Sequence, residues 1–127
     1  MAVYLTNKKD IERMKKDYFQ TFLVENQIKE ALTNFSNKTE FGDQYIGLVF
    51  AGDVEHGDGE AYENLLKEDR KNHVLVHFDA PVEPEDTYLY LEYKELYESL
   101  ENWIKEQYNN TPELLDLLES VKIALEC

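Results

Sequence analysis

The sequence predicts an α+β fold: a small, largely antiparallel sheet packed with N-terminal and C-terminal helices in a single domain over residues 1–127. Three observations carry this. Two short runs are rich in β-branched and aromatic residues, Val74-Leu75-Val76 with Phe78 and Thr87-Tyr88-Leu89-Tyr90-Leu91. They are separated by a loop holding Pro81 and Pro84, neither of which serves a central strand. From Glu92 the period changes from two to between three and four, so that Leu96, Leu100, Trp103 and Ile104, flanked by Tyr93, Tyr97 and Tyr108, fall on one helical face. This strand, acidic loop, strand, helix unit is the packing partner that the other segments need.

Taken in order, Ala2 to Leu5 reads as a short edge strand, and Thr6 or Asn7 offers a side-chain oxygen to cap a helix. Ile11, Met14, Tyr18 and Phe22 form one apolar stripe, with Lys8, Lys9, Arg13, Lys15 and Lys16 on the wet faces. A second stripe, Val24, Ile28, Ala31, Leu32 and Phe35, is rotated relative to the first, which places a break or bend near Thr21 to Glu25. Asn34 to Asp43 is a turn-rich connector, and Tyr45 to Phe50 (YIGLVF) is a strand. Gly52 to Asp69 is a long acidic excursion in which Ala61 to Lys67 has room for a helical turn or two. The expected sheet therefore uses segments 45–51, 72–79 and 86–91. Thr111-Pro112-Glu113 opens the last helix, with a Thr cap, Pro at the first position and an acid near the positive end. Leu114, Leu117 or Leu118, Val121 and Leu125 form its apolar face, and Trp103 of the preceding helix is expected in the core.

Charge is the strongest global signal. Asp and Glu number 27 against 13 Lys and Arg, for a formal net charge of −14. The excess is concentrated: residues 55–101 carry 14 acids and 4 bases, whereas residues 1–54 carry 8 and 7. A field of that sign repels nucleic acid and anionic lipid and attracts basic partners. No apolar run approaches the ~20 residues of a membrane span, and the N-terminus lacks the apolar core of a secretory signal. The one cysteine, Cys127, has no partner for an internal disulfide. These traits point to the cytoplasm and to partners that are neither nucleic acid nor membrane.

The search for chemistry returns little. No glycine-rich phosphate cradle is present, no Cys/His set has zinc spacing, and no Ser has a nucleophile's setting, so no cofactor is expected. Asp53, Glu55, His56, Asp58 and Glu60 superficially suit a cation, but the order DVEHGDGE departs from the calcium-loop pattern, and no metal is expected there. What the middle of the chain does offer is tyrosine framed by carboxylate. Tyr62, Tyr88 and Tyr90 are candidate anchors. In the excursion, Asp53, Glu55, Asp58, Glu60 and Glu63 are candidate contacts; around the proline loop and second strand, Asp79, Glu83, Glu85, Asp86 and Glu92 join them. Rings supply interface area at low entropic cost, and carboxylates steer and satisfy lysine and arginine. With no catalytic signature, these are the traits of a proteinaceous inhibitor rather than an enzyme. A DNA-mimic that fills a nucleic-acid-binding groove is the alternative, and a hydrolase with paired carboxylates a more distant one.

Several stretches also carry a family resemblance: Ala31 to Phe35 (ALTNF), Tyr45 to Phe50, Tyr88 to Glu101 (YLYLEYKELYESLE), a helix ending near WIKEQY, and the Pro-Glu-initiated last helix. Over about residues 28–125 the chain resembles bacterial immunity proteins of contact-dependent growth inhibition (polymorphic toxin) systems, in particular the group that neutralises ribonuclease toxins. It departs from that pattern in having Glu92 where a Ser or Thr cap is expected. The resemblance implies a non-enzymatic cytosolic protein that binds the basic nuclease domain of its cognate toxin. It assigns no binding residues, so the candidate contacts rest on charge alone.

Overall fold

A computed structural model describes residues 2–55, 57–109 and 111–127. The described residues form five α-helices and a five-stranded mixed sheet. The strands are β1 (Val3–Tyr4), β2 (Phe41–Gly42), β3 (Ile46–Val49), β4 (His73–Phe78) and β5 (Thr87–Glu92), in the spatial order β1-β5-β4-β3-β2. The three expected strands pair antiparallel, Leu48 opposite Val76 and Val76 opposite Leu89. The N-terminal strand is an edge strand as expected, and it runs parallel to β5, with Tyr4 beside Tyr88. The strand β2 is new: its two residues lie inside the segment read as a connector, and they pair with Leu48 and Gly47.

The helices are α1 (Lys8–Phe22), α2 (Ile28–Ser36), α3 (Glu60–Leu65), α4 (Tyr93–Tyr108) and α5 (Pro112–Ala124). Asn7 caps α1, its Oδ1 accepting the N–H groups of Lys9 at 2.9 Å and Asp10 at 3.3 Å. The break between α1 and α2 falls at Leu23, within the expected window. It is held from a distance: the Leu23 carbonyl accepts the indole N–H of Trp103 at 3.0 Å and the hydroxyl of Tyr108 at 3.1 Å. Trp103 is half-buried against Phe19 (ring centroids 5.8 Å apart) rather than sealed in the core. Two other expectations are corrected. Lys15 is not on a wet face: it is buried, with Nζ 3.2 Å from Ser99 Oγ and 2.8 Å from Glu12. Its stem lies along the α4 interface while its charge stays paired. Thr111 stands at the start of α5, but its hydroxyl donates to the Tyr108 carbonyl (2.7 Å) instead of capping the helix.

The strand period decides which side chains meet the helices. Leu48, Val74, Val76, Phe78, Leu89 and Leu91 face one way, into the main core with Met14, Tyr18, Leu32, Phe35, Leu96, Ile104 and Val121 from α1, α2, α4 and α5. The intervening positions face the opposite side. There α3 lays Ala61 and Leu65 on Val49 and Leu75, which makes a second, smaller cluster. This helix covers only part of that side, and β5 and β1 are left with a row of tyrosines.

Candidate functional site

The tyrosine row follows from register. Tyr88 and Tyr90 alternate with the inward Leu89 and Leu91, so both face away from the four-helix side. Tyr4 of β1 lies beside Tyr88 with ring centroids 5.5 Å apart, and it stacks on Tyr90 at 6.2 Å with planes 7° apart. Tyr62 reaches in from α3, edge-on to Tyr88 at 6.2 Å, and contacts the ring of His77 at 6.0 Å. Five rings thus run continuously from Tyr90 through Tyr4, Tyr88 and Tyr62 to His77. At one end the row is already occupied: the Tyr90 hydroxyl donates to the Ala61 carbonyl at 2.7 Å, and the Arg70 guanidinium lies 4.5 Å above the Tyr90 ring.

Carboxylates surround the other end. Burial, then Asp79, Tyr88, Asp58 and Asp86, push the Tyr62 phenol well above its ordinary value. Burial, then Asp86 and Asp79, raise Tyr88, and burial with Glu60 raises Tyr4. Three of these acids are held in place. Asp79 Oδ1 lies 3.1 Å from His77 Nδ1, Asp86 Oδ1 accepts the Ala80 N–H at 2.9 Å, and Asp58 Oδ2 accepts the Glu55 N–H at 2.7 Å. Among the described residues no lysine or arginine forms an ion pair with Asp58, Glu60, Asp79 or Asp86.

The predicted residues therefore separate. Asp58, Glu60, Tyr62, Asp79, Asp86, Tyr88 and Tyr90 gather on this side of the sheet. Asp53, Asp58 and Glu55 all act on Glu40, so Asp58 stands between that carboxyl and the tyrosines; Asp53 is partly committed to structure, its Oδ2 accepting the Phe50 N–H at 2.9 Å. Glu63 is exposed in the first turn of α3, and Glu85 is exposed in the loop before β5. Glu83 turns to α1 and lies 3.5 Å from Arg13. Glu92 is the residue before α4, its N–H donating to Glu95 Oε1 at 3.3 Å, so a glutamate pair occupies the expected Ser or Thr cap. His56 of the acidic excursion lies outside the described residues. Three participants were missed. Tyr4 was read only as strand and Arg70 was not singled out. Glu40 lines a recess of about 270 Å³ with His77, Gly47 and Asp43.

Glu40 yields a pH test. Burial first, then Asp53, raises its carboxyl above the ordinary range, and His77 acts the other way. The folded chain then binds that proton more tightly than the unfolded chain. The corresponding stability is present below the unfolded pKa and is lost as pH rises through the folded one. Glu40→Gln is expected to raise the melting temperature at neutral pH and to leave it unchanged at acid pH, in melts followed by circular dichroism. An equal effect at both pH values contradicts the tighter proton binding of that carboxyl, which belongs to an exposed residue and is desolvated only in part.

A larger recess, of about 620 Å³, lies away from the tyrosine row, between Tyr93 and Tyr97 of α4 and Lys122 and Leu125 of α5. Its acids Glu92, Glu98, Glu101 and Glu126 are accompanied by Lys94 and Lys122, so its charge is mixed, and the predicted contact Glu92 lies here rather than among the tyrosines.

The sequence matches the family described as CDI immunity protein over residues 11–118. The chain belongs to that family. Comparison with curated proteins and with solved structures returned no match. As a CDI immunity protein the chain serves to neutralise a toxin, and its partner is that cognate toxin. The matched span runs from the first turn of α1 into α5 and includes Tyr62, Tyr88 and Tyr90, whereas Tyr4 lies before it. Among the described residues no helix of this CDI immunity protein is long and apolar enough to cross a membrane.

Proposed function

We propose that this CDI immunity protein binds a basic toxin stoichiometrically, without catalysis and in the cytoplasm, through the tyrosine row and its carboxylates. The target fitting that surface is a nuclease domain, most simply a ribonuclease, since a protein that grips RNA presents cationic side chains. The observation supporting this reading is the side of the sheet that α3 covers only in part. Tyr4, Tyr62 and Tyr88 offer contiguous ring surface there, and Asp58, Glu60, Asp79 and Asp86 have no lysine or arginine partner among the described residues. Aromatic anchors within a ring of charge suit a protein interface better than a substrate cleft.

Binding kinetics against the toxin encoded beside this chain's gene test the reading. Steering by opposite charge makes association slow steeply as salt shortens the Debye length to about 10 Å or less. Asp→Asn and Glu→Gln exchanges should then divide by location. The exposed Glu85 lowers the on-rate, whereas Asp79 or Asp86 raises the off-rate and costs about 2–5 kcal/mol. An on-rate indifferent to salt, with no exchange costing more than about 1 kcal/mol, marks the acids as a solvated surface only.

A further inference from the structure

The loop end of the β4–β5 ladder places two acids against each other. The last paired residues are Phe78 and Thr87, and His77 lies opposite Tyr88. One step beyond come Asp79 and Asp86, which the alternation of the strand directs to the same side as His77 and Tyr88. The two are joined through the backbone of the loop: the Ala80 N–H, next to Asp79, donates to Asp86 Oδ1 at 2.9 Å. Both side chains are acidic and lie just beyond the last ladder pair, and no Lys or Arg among the described residues is ion-paired with either. Asp79 is in addition fixed by His77, whose side chain is only 10% exposed.

Tyr88 lies immediately beside this corner, between Tyr4 and Tyr62. The same row already shows what suits its rings, because the chain's own Arg70 guanidinium lies over Tyr90. A planar guanidinium both stacks on a phenol face and donates in parallel to carboxylates, whereas an ammonium is a compact, strongly hydrated point charge. Resting on the toxin-binding reading above, we propose that the Asp79–Asp86 corner and the Tyr88 ring together receive one arginine side chain of the toxin. The seated cation bridges the two acids, and the face selects arginine over lysine.

The test uses the full chain and two small probes, N-acetyl-arginine amide and N-acetyl-lysine amide, titrated while the tyrosine ring resonances are followed by NMR. The expected result is movement of the Tyr88 and Tyr62 rings by the arginine probe. Lysine should bind at least about threefold more weakly, and Asp86→Asn, Asp79→Asn or Tyr88→Leu should abolish the response. Equal responses to both probes, or none at Tyr88, overturn the proposal. If the arginine probe fails while Asp86→Asn still weakens toxin binding, the arginine seat falls and the acidic-face reading stands. If toxin binding ignores every exchange on this side of the sheet, both fall.

Discussion

Truncating Trp103 to alanine is expected to lower stability by about 3 kcal/mol, the lower end of the range for a core aromatic because the ring is half-buried. Two losses combine. The indole no longer packs on Phe19, and its N–H no longer serves the Leu23 carbonyl where α1 ends. Trp103→Phe keeps an aromatic ring while removing the N–H and part of the packing, and should cost at least about 1 kcal/mol, the net worth of one hydrogen bond. Adding Tyr108→Phe removes the other donor to that carbonyl. The double variant should then lose more than the sum of the single ones, because the acceptor is stranded only when both donors are gone. Urea denaturation of the wild-type chain and the four variants measures all of this. An unchanged midpoint for Trp103→Ala would contradict the docking of α4 on the α1–α2 break.

The second large effect is on binding. Tyr88→Ala is expected to weaken the toxin complex about a hundredfold or more, within the ~2–4 kcal/mol range of a central aromatic anchor. Tyr88→Phe keeps the ring and should retain most of the affinity. The contrast comes from the opposite side of the molecule. Neutralising Lys8, Lys9 and Lys16, exposed on α1, should change affinity by less than about 1 kcal/mol. Lys15 does not belong in that control, since it is buried and paired with Glu12 and Ser99, and its loss would be read as instability. Surface-immobilised kinetics on folded variants separates the two. A hundredfold loss from the lysine set, with Tyr88→Ala neutral, moves the interface to the helices.

The elements that were legible in the sequence are those whose signal is periodic. β4, β5 and α4 follow from the switch between a period of two and one near 3.6, and the rotation between two apolar stripes located the Leu23 break to within a few residues. What escaped depends on partners distant in the chain. The parallel pairing of β1 with β5 joins positions 3 and 87 and has no local signature, so Tyr4 could be read as a strand residue but not as part of a row. β2 is two residues long, too short to show alternation. Lys15 looked exposed because it is charged, and only the fold shows that Ser99 and Glu12 receive it. For the candidate site, composition gave a neighbourhood and no geometry. Glu83 and Asp86 are three residues apart in one acidic loop, yet one turns to Arg13 and the other to the tyrosines.

The two sides of the sheet divide the labour of the chain. Leu89 and Leu91 commit one side of β5 to the helices, while Tyr88 and Tyr90 occupy the other. Exchanges at positions 4, 62, 79, 86 and 88 therefore act across a backbone layer from the main core, at a separation where mutational effects approach additivity. On the proposed reading, partner choice in such a chain is modular. A handful of substitutions on that side could retarget it to a different toxin while the main core stays as it is, which makes this scaffold a template for grafted recognition.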